Sequence, residues 1–475
     1  MSAPPEVDDL DRFLDDLEEE VSKPRKRKPQ PQSGQKPMQR GDHVELAERL
    51  LQTLGMDHDP LVGDEARIHG YDAKIGTYRP VDPSRLSCVV QGFAGTPIED
   101  SKKPLAIRAS DVSGAVRLAY DRVASPGFFA AAPAGLAFTN GFVRVSAAGV
   151  ERVAHSPDHR ARFAYGFDYA GNRPPVEFLR FLHALFRDDP DREEKIVCLQ
   201  EHLGASLVGR ATQYQRAIVN IGEGGEGKST LVAIVSQAFP PDSVEAIAPQ
   251  DWGQEYRRAM LAGKLLNIVA ELPEADIIES EAFKAIITGD PIVGRHIREA
   301  PFTFRPRAGH MFAANRLPGT NDQSEGFWRR IIALRYNRRF ANDPECDPEI
   351  GHKIVSAELP LIVAWMLEGA ARIMRERGHT LPASHVEELD AWRGSADQVR
   401  AFLAECTEED VVGHGVSASG VYFAYQRWAQ RNGHRPVSST KFGMRLKALG
   451  KGAAKGRDNN TYPLKLKQES SAYAN

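Results

Sequence analysis

The feature that most restricts this 475-residue chain is the run Gly222-Glu223-Gly224-Gly225-Glu226-Gly227-Lys228-Ser229-Thr230. It follows an apolar run, RAIVNI (Arg216 to Ile221), and precedes a helical pattern, TLVAIVSQAF. Strand, glycine loop and helix in that order make an anion cradle. Glycines let successive backbone N–H groups converge on phosphate oxygens, and the helix N-terminus adds a favourable dipole. The spacing GxxxxGKS sets Lys228 against the β- and γ-phosphates of a nucleotide and Ser229 on a magnesium ion, with Thr230 starting the helix behind them. ATP and Mg2+ are therefore the expected cofactors.

Such a cradle needs an acid at a neighbouring strand end to hold the metal or polarise water. KLLNIVAEL supplies Glu271, followed by Leu272 and Pro273 rather than a second acid. HMFAAN closes on Asn315, whose amide suits the γ-phosphate or the attacking water. Arg329 and Arg330, in FWRR, offer guanidinium groups to a nucleotide held by an adjacent subunit. The near-continuous apolar runs alternate with helical patterns, as a parallel sheet covered on both faces requires.

Net charge is −3, so any nucleic-acid surface must be local rather than global. Four cysteines, Cys88, Cys198, Cys346 and Cys406, stand far apart with no CxxC pair, which argues against a disulfide framework or a cysteine-based zinc site. No run of about 18 apolar residues occurs, and the first residues are acidic, so neither membrane spanning nor secretion is expected and the chain reads as intracellular. From Glu6 to Glu20 nine acids accompany one arginine, and Lys23 to Arg40 is basic and proline-rich. This composition reads as a disordered tail over residues 1–41, able to dock a partner.

Behind the glycine loop, LNIVAE, KAIITGDPIVGR, FTFRP, FAANRLP and FWRR follow in order. In this sequence and spacing they resemble superfamily 3 helicases of the phage/plasmid primase-helicase group, related to the poxvirus primase-helicase. The resemblance extends upstream to FTNGFVRVS and downstream to GVYFAYQRWAQRNGHRPVSSTKFGMRLKALG, covering most of Gly135 to Lys467, but a recognisable primase domain is lacking. It implies an α/β, AAA+-like P-loop core over residues 211–345. An N-terminal α+β domain ending in helices is expected over 42–210, a helical connector over 346–395, and a C-terminal winged-helix module over 396–475. It further implies a homo-hexameric ring acting on single-stranded and forked DNA in the cytoplasm of a bacterial host cell, with Arg329 or Arg330 reaching the next subunit's ATP and the tail able to recruit a separate primase or polymerase. A hairpin bearing Arg295, His296 and Arg298 would hold the strand by its phosphates, with Lys284 on the preceding helix as a further contact.

The C-terminal module carries independent charge evidence. Between Gly420 and Lys467 eleven lysines and arginines face one acid, Asp458. SSTKFGMRLKALG, capped by Ser438 or Ser439, reads as a recognition helix presenting Lys441, Arg445 and Lys447. Two further readings stay open at this level: a primase-helicase with a cryptic polymerase before residue 150, and an ATP-assembled origin-binding initiator that does not unwind.

Overall fold

A computed structural model of the chain describes residues 36–467, apart from 274–277, 298–299, 316–317, 319, 321, 323, 341–342, 344–345, 411–414, 434–435 and 456–459. Of the tail expected over residues 1–41, residues 1–35 lie outside the described residues, whereas 36–41 join the fold rather than being disordered, because Met38 is buried in the core of the smaller unit and its N–H donates to the Pro97 carbonyl at 2.8 Å. Two compact units result, one over residues 36–131 apart from 74–77, the other formed chiefly by residues 132–467.

The smaller unit packs α1 (His43–Gly55), α2 (Pro83–Gln91) and α3 (Ala109–Val123) with a three-stranded antiparallel meander, β1 (Leu61–Asp64), β2 (Arg67–Asp72) and β3 (Thr77–Pro80). Asp42 caps α1 by accepting from the Glu45 N–H, and Leu46, Ala47, Leu50 and Leu54 form its buried stripe at helical spacing. Asp57, the first of three consecutive polar residues that resemble metal ligands, is instead paired with Arg85.

The larger unit begins with a second meander, β4 (Gly135–Phe138), β5 (Gly141–Ser146) and β6 (Gly149–Val153), then α4 (Val176–Leu185) and α5 (Arg192–Leu207). Its centre is a parallel five-stranded sheet. In chain order the strands are β7 (Ala217–Ile221), β8 (Val244–Glu245), β9 (Leu266–Val269), β12 (Gly309–Ala314) and β13 (Ile331–Arg335), and in space they run β13-β7-β12-β9-β8. Alternation of side chains divides two cores. Ile218, Met311, Ile332 and Leu334 face α5, α6 (Lys228–Ala238) and the long α10 (Ile350–Glu376). Ala217, Val219, Phe312, Ala314 and Ile331 face Trp252, Phe283, Trp328 and Trp392. Burial on both faces explains why these strands read as unbroken apolar runs.

Two glycines let α5 and α10 approach closely. A Cβ on Gly204 would lie 2.1 Å from the Met366 carbonyl, and one on Gly369 would lie 2.2 Å from that of Gln200. The long apolar α10 is thus a core helix, with 56% of its most apolar 18-residue stretch buried. The expected domain break at residue 210 gives way to a different packing. Phe178, Leu182, Leu199 and Leu203 share one core with the central sheet, so residues 132–210 belong to the same compact unit as the glycine loop.

Between β9 and β12 the chain inserts α8 (Ser280–Thr288) and a hairpin of β10 (Ile292–Gly294) and β11 (Phe302–Phe304); α7 (Glu255–Ala259) precedes β9, and α9 (Glu325–Trp328) precedes β13. After α11 (Ser384–Ala396) a separate core gathers α12 (Gln398–Cys406), α13 (Ala418–Arg431) and α14 (Ser439–Ala448) around Phe402, Tyr425 and Phe442. Short antiparallel strands complete this module: β14 (Thr407–Glu409) pairs with β18 (Leu464–Leu466), and β17 (Asn460–Tyr462) lies between β15 (Val416–Ser417) and β16 (Ala454–Lys455).

Candidate nucleotide and nucleic-acid sites

The glycine loop leaves β7 at Ile221 and enters α6 at Lys228, with Gly227 at the cap in the left-handed region at φ 82°. Gly224 and Gly225 also take positive φ, of 115° and 80°, which side-chain-bearing residues rarely adopt. The loop therefore depends on glycine at these places.

Backbone hydrogen bonds draw four strand ends together. The Gly222 N–H donates to the Ala314 carbonyl at 3.2 Å, the Leu272 N–H to Ala313 at 2.8 Å and the Tyr336 N–H to Ile221 at 2.8 Å. Because β12 lies between β7 and β9, the loop, Glu271 and Asn315 emerge at the same edge of the sheet. Asn315 donates from Nδ2 to Glu271 Oε1 at 3.2 Å, and both side chains are exposed there. Ser229 is exposed beside the buried Lys228, and Thr230 is half-buried.

The cradle accepts an anion from within the chain. Both carboxylate oxygens of Glu226 receive the Gly224 N–H, at 2.8 and 2.9 Å, and Oε2 receives Lys228 Nζ at 2.8 Å. Glu223, also in the loop, pairs with Arg339, and the Phe340 N–H donates to the Gly225 carbonyl at 2.8 Å. The segment after β13 thus braces the loop, a contact that sequence spacing did not indicate. The Glu226 contact was visible only as an acid two positions before the lysine.

The two arginines of FWRR differ sharply. Arg329 is exposed, whereas Arg330 is buried to 8% exposure and donates to the Gly326 carbonyl. Burial lowers the Arg330 pKa, as does the neighbouring Arg329, with Asp290 and Asp322 opposing them. Lys284 lies on α8 and pairs with Asp322, with Ser324 Oγ 3.3 Å away. Burial pushes the Asp322 carboxyl up, but Lys284, Ser280 and Ser324 outweigh it and hold the pKa at about 2. Lys284, expected to contact DNA, thus compensates a partly buried carboxylate in the DNA-free chain.

At the hairpin, Arg295 lies over the Tyr256 ring at 5.9 Å, His296 stacks on Phe302 at 5.0 Å, and Ile297 is 78% exposed. Arg298, named with them, lies outside the described residues. In the C-terminal module Ser438 caps α14 by accepting from the Lys441 N–H, and Lys441 and Lys447 are exposed. Arg445 is not available in the same way. Its Nε and Nη2 grip Asp397 Oδ2 at 2.8 and 2.6 Å, and Asp397 is 3% exposed, so this arginine neutralises a buried acid.

Residues 220–330 match a family described as a family of unknown function (DUF5906), and residues 395–467 match a family described as poxvirus D5 protein-like. No curated protein matches the chain. Among solved structures, the A-form apo structure of the NrS-1 C-terminal region aligns over 87% of each chain at 12% identity and a TM-score of 0.46. An apo structure of the same region over residues 305–718 gives 12% identity, 87% of each chain and 0.45. JCV helicase bound to an acetamide ligand aligns over 56% of this chain and 66% of that chain, at 11% identity and 0.28. The D5-like segment over residues 395–467 thus follows a strand, glycine loop and helix set in a parallel sheet.

Proposed function

We propose that this chain is an ATP-dependent, ring-forming DNA helicase that opens duplex DNA when a phage, plasmid or satellite element begins replication. The observation that carries the reading is the convergence of the glycine loop with the Glu271–Asn315 pair at one sheet edge. The loop fits a nucleotide, since its Gly224 N–H and Lys228 already take a carboxylate.

In this reading Gly222 to Gly227 wrap the phosphates, Lys228 neutralises them, and Ser229 with Glu271 completes the shell of a magnesium ion that supplies charge neutralisation of the phosphates. Such an ion is ordinarily held by one or two protein ligands plus phosphate oxygens and water. Glu271 orients the attacking water, and the Asn315 amide fixes that carboxylate and senses the γ-phosphate. Exposure favours Arg329 over Arg330 as the residue offered to the next subunit of a homo-hexamer. The hairpin with Arg295 and His296 would grip single-stranded DNA through phosphates and Ile297 through a base face. Lys441 and Lys447 of α14 would grip duplex at the fork or the origin.

The test is ATP-dependent displacement of a labelled strand from forked DNA by the full chain beside Lys228→Ala at matched salt. Displacement by the unmodified chain alone supports the helicase reading. Hydrolysis and DNA binding without displacement would move the assignment to an ATP-assembled origin-binding initiator.

A further inference from the structure

Lys228 and the Gly224 N–H, two donors that the nucleotide reading gives to phosphate, are both occupied by one side chain of the loop itself. Glu226 is 2% exposed and Lys228 8%, so the pair is sheltered from water. The carboxylate is folded back over Gly222, where an added Cβ would lie 2.9 Å from Glu226 Cδ and 2.7 Å from Lys228 Nζ. A side chain at Gly222 would therefore displace the ends of both side chains.

We infer that Glu226 is a built-in competitor for the phosphate cradle, which must swing out before a nucleoside di- or triphosphate can enter and so sets the affinity and entry rate of the site. The inference rests on the reading of this loop as the nucleotide site. A phosphate and a carboxylate cannot share one ammonium and one N–H in a sheltered pocket, because like charges at that distance repel strongly where the effective dielectric is low. The nucleotide therefore meets a site of which only a fraction is open, and its apparent affinity falls by that fraction. Closure also gives Lys228 a partner between catalytic cycles, which avoids leaving a buried ammonium uncompensated.

The deciding experiment is stopped-flow binding of a fluorescent ADP analogue to the full chain and to Glu226→Gln and Glu226→Asp. Glutamine removes the charge; aspartate keeps it but is one methylene too short to reach both donors. For an open fraction of about one in ten, both variants bind about tenfold more tightly, with the gain in the association rate constant. Unchanged or weaker binding in both variants would overturn the inference. So would a gain confined to dissociation in the glutamine variant, with aspartate behaving as the parent; that pattern marks simple charge repulsion without a gate. Absence of analogue binding by all three chains would remove the nucleotide reading itself, and the inference with it. Should the glutamine variant fail to fold, the aspartate variant decides alone.

Discussion

Asn315 Nδ2 donates to Glu271 Oε1 at 3.2 Å, so the amide that follows β12 holds the carboxylate that follows β9. The contact exists because β12 lies between β7 and β9 in the sheet, although both residues are far from the glycine loop along the chain. A carboxylate aimed in this way is suited to orient a water molecule. Glu271→Gln should lower ATP turnover by a factor of about 10² to 10⁴ while nucleotide binding persists. Steady-state hydrolysis beside equilibrium binding of an ADP analogue checks this; equal loss of both would assign Glu271 to structure.

The contrast in exposure between Arg329 and Arg330 predicts that, on the helicase reading, their loss will be felt differently. Arg329→Ala should leave thermal stability unchanged and abolish hydrolysis. Mixing it with Lys228→Ala subunits should restore part of the activity, because some interfaces then combine an intact loop with an intact arginine. Arg330→Ala should instead destabilise the fold by about 1–3 kcal/mol, having lost the bond to Gly326 and a buried stem. Denaturant titration and mixed-subunit assays read the two effects independently.

The basic C-terminal module should divide in the same manner. Lys441→Ala and Lys447→Ala are each expected to reduce the slope of log affinity for duplex DNA against log salt by about 0.9, with no loss of stability. Arg445→Ala leaves the buried Asp397 carboxylate with only the Val399 and Arg400 N–H groups and no cation, and should cost about 3 kcal/mol. A salt series of DNA binding, paired with unfolding curves, tells the surface lysines from the internal arginine.

Close helix packing makes its own prediction. Gly204→Ala puts a methyl 2.1 Å from the Met366 carbonyl, which a backbone can relieve only by separating α5 from α10. A loss of about 1–3 kcal/mol is expected, measured by chemical denaturation. Alanine is the better helix former, so a gain in stability would show that the two helices are free to part.

Stability should fall as acid is added, beginning above the range where carboxylates titrate. Burial lowers the pKa of His202 to about 4, although its bond to the His310 carbonyl opposes this, and burial with the nearby His202 lowers that of His310 to about 3. The unfolded chain takes up these protons near pH 6.5, so the neutral buried forms contribute fully above that value and lose stability as pH falls from about 6.5 to about 4. His202→Gln, which retains a donor for the His310 carbonyl, should flatten the decline between pH 7 and 5. Denaturation midpoints across that range provide the check.

How much was legible beforehand depends on how far each residue's role reaches along the chain. The strand, loop and helix around Lys228 were readable because glycine conformations, an apolar run and a helix start are local properties. Glu271 and Asn315 were readable as strand ends. Alternating apolar runs indicated a parallel sheet, and Ser438 was visible as a cap. Strand order was not written locally, since pairing joins residues nearly a hundred positions apart, and only that order brings Glu271, Asn315 and Gly222 to one edge. Nor does residue type disclose burial. Arg329 and Arg330 are neighbours of identical chemistry, yet packing exposes one and encloses the other. Lys284 and Arg445 read as free cations until folding set a carboxylate beside each. For Glu226, the sequence supplied the charge and the glycines, while the folded loop alone turned that charge onto Lys228, because the direction of a side chain follows from the backbone that carries it.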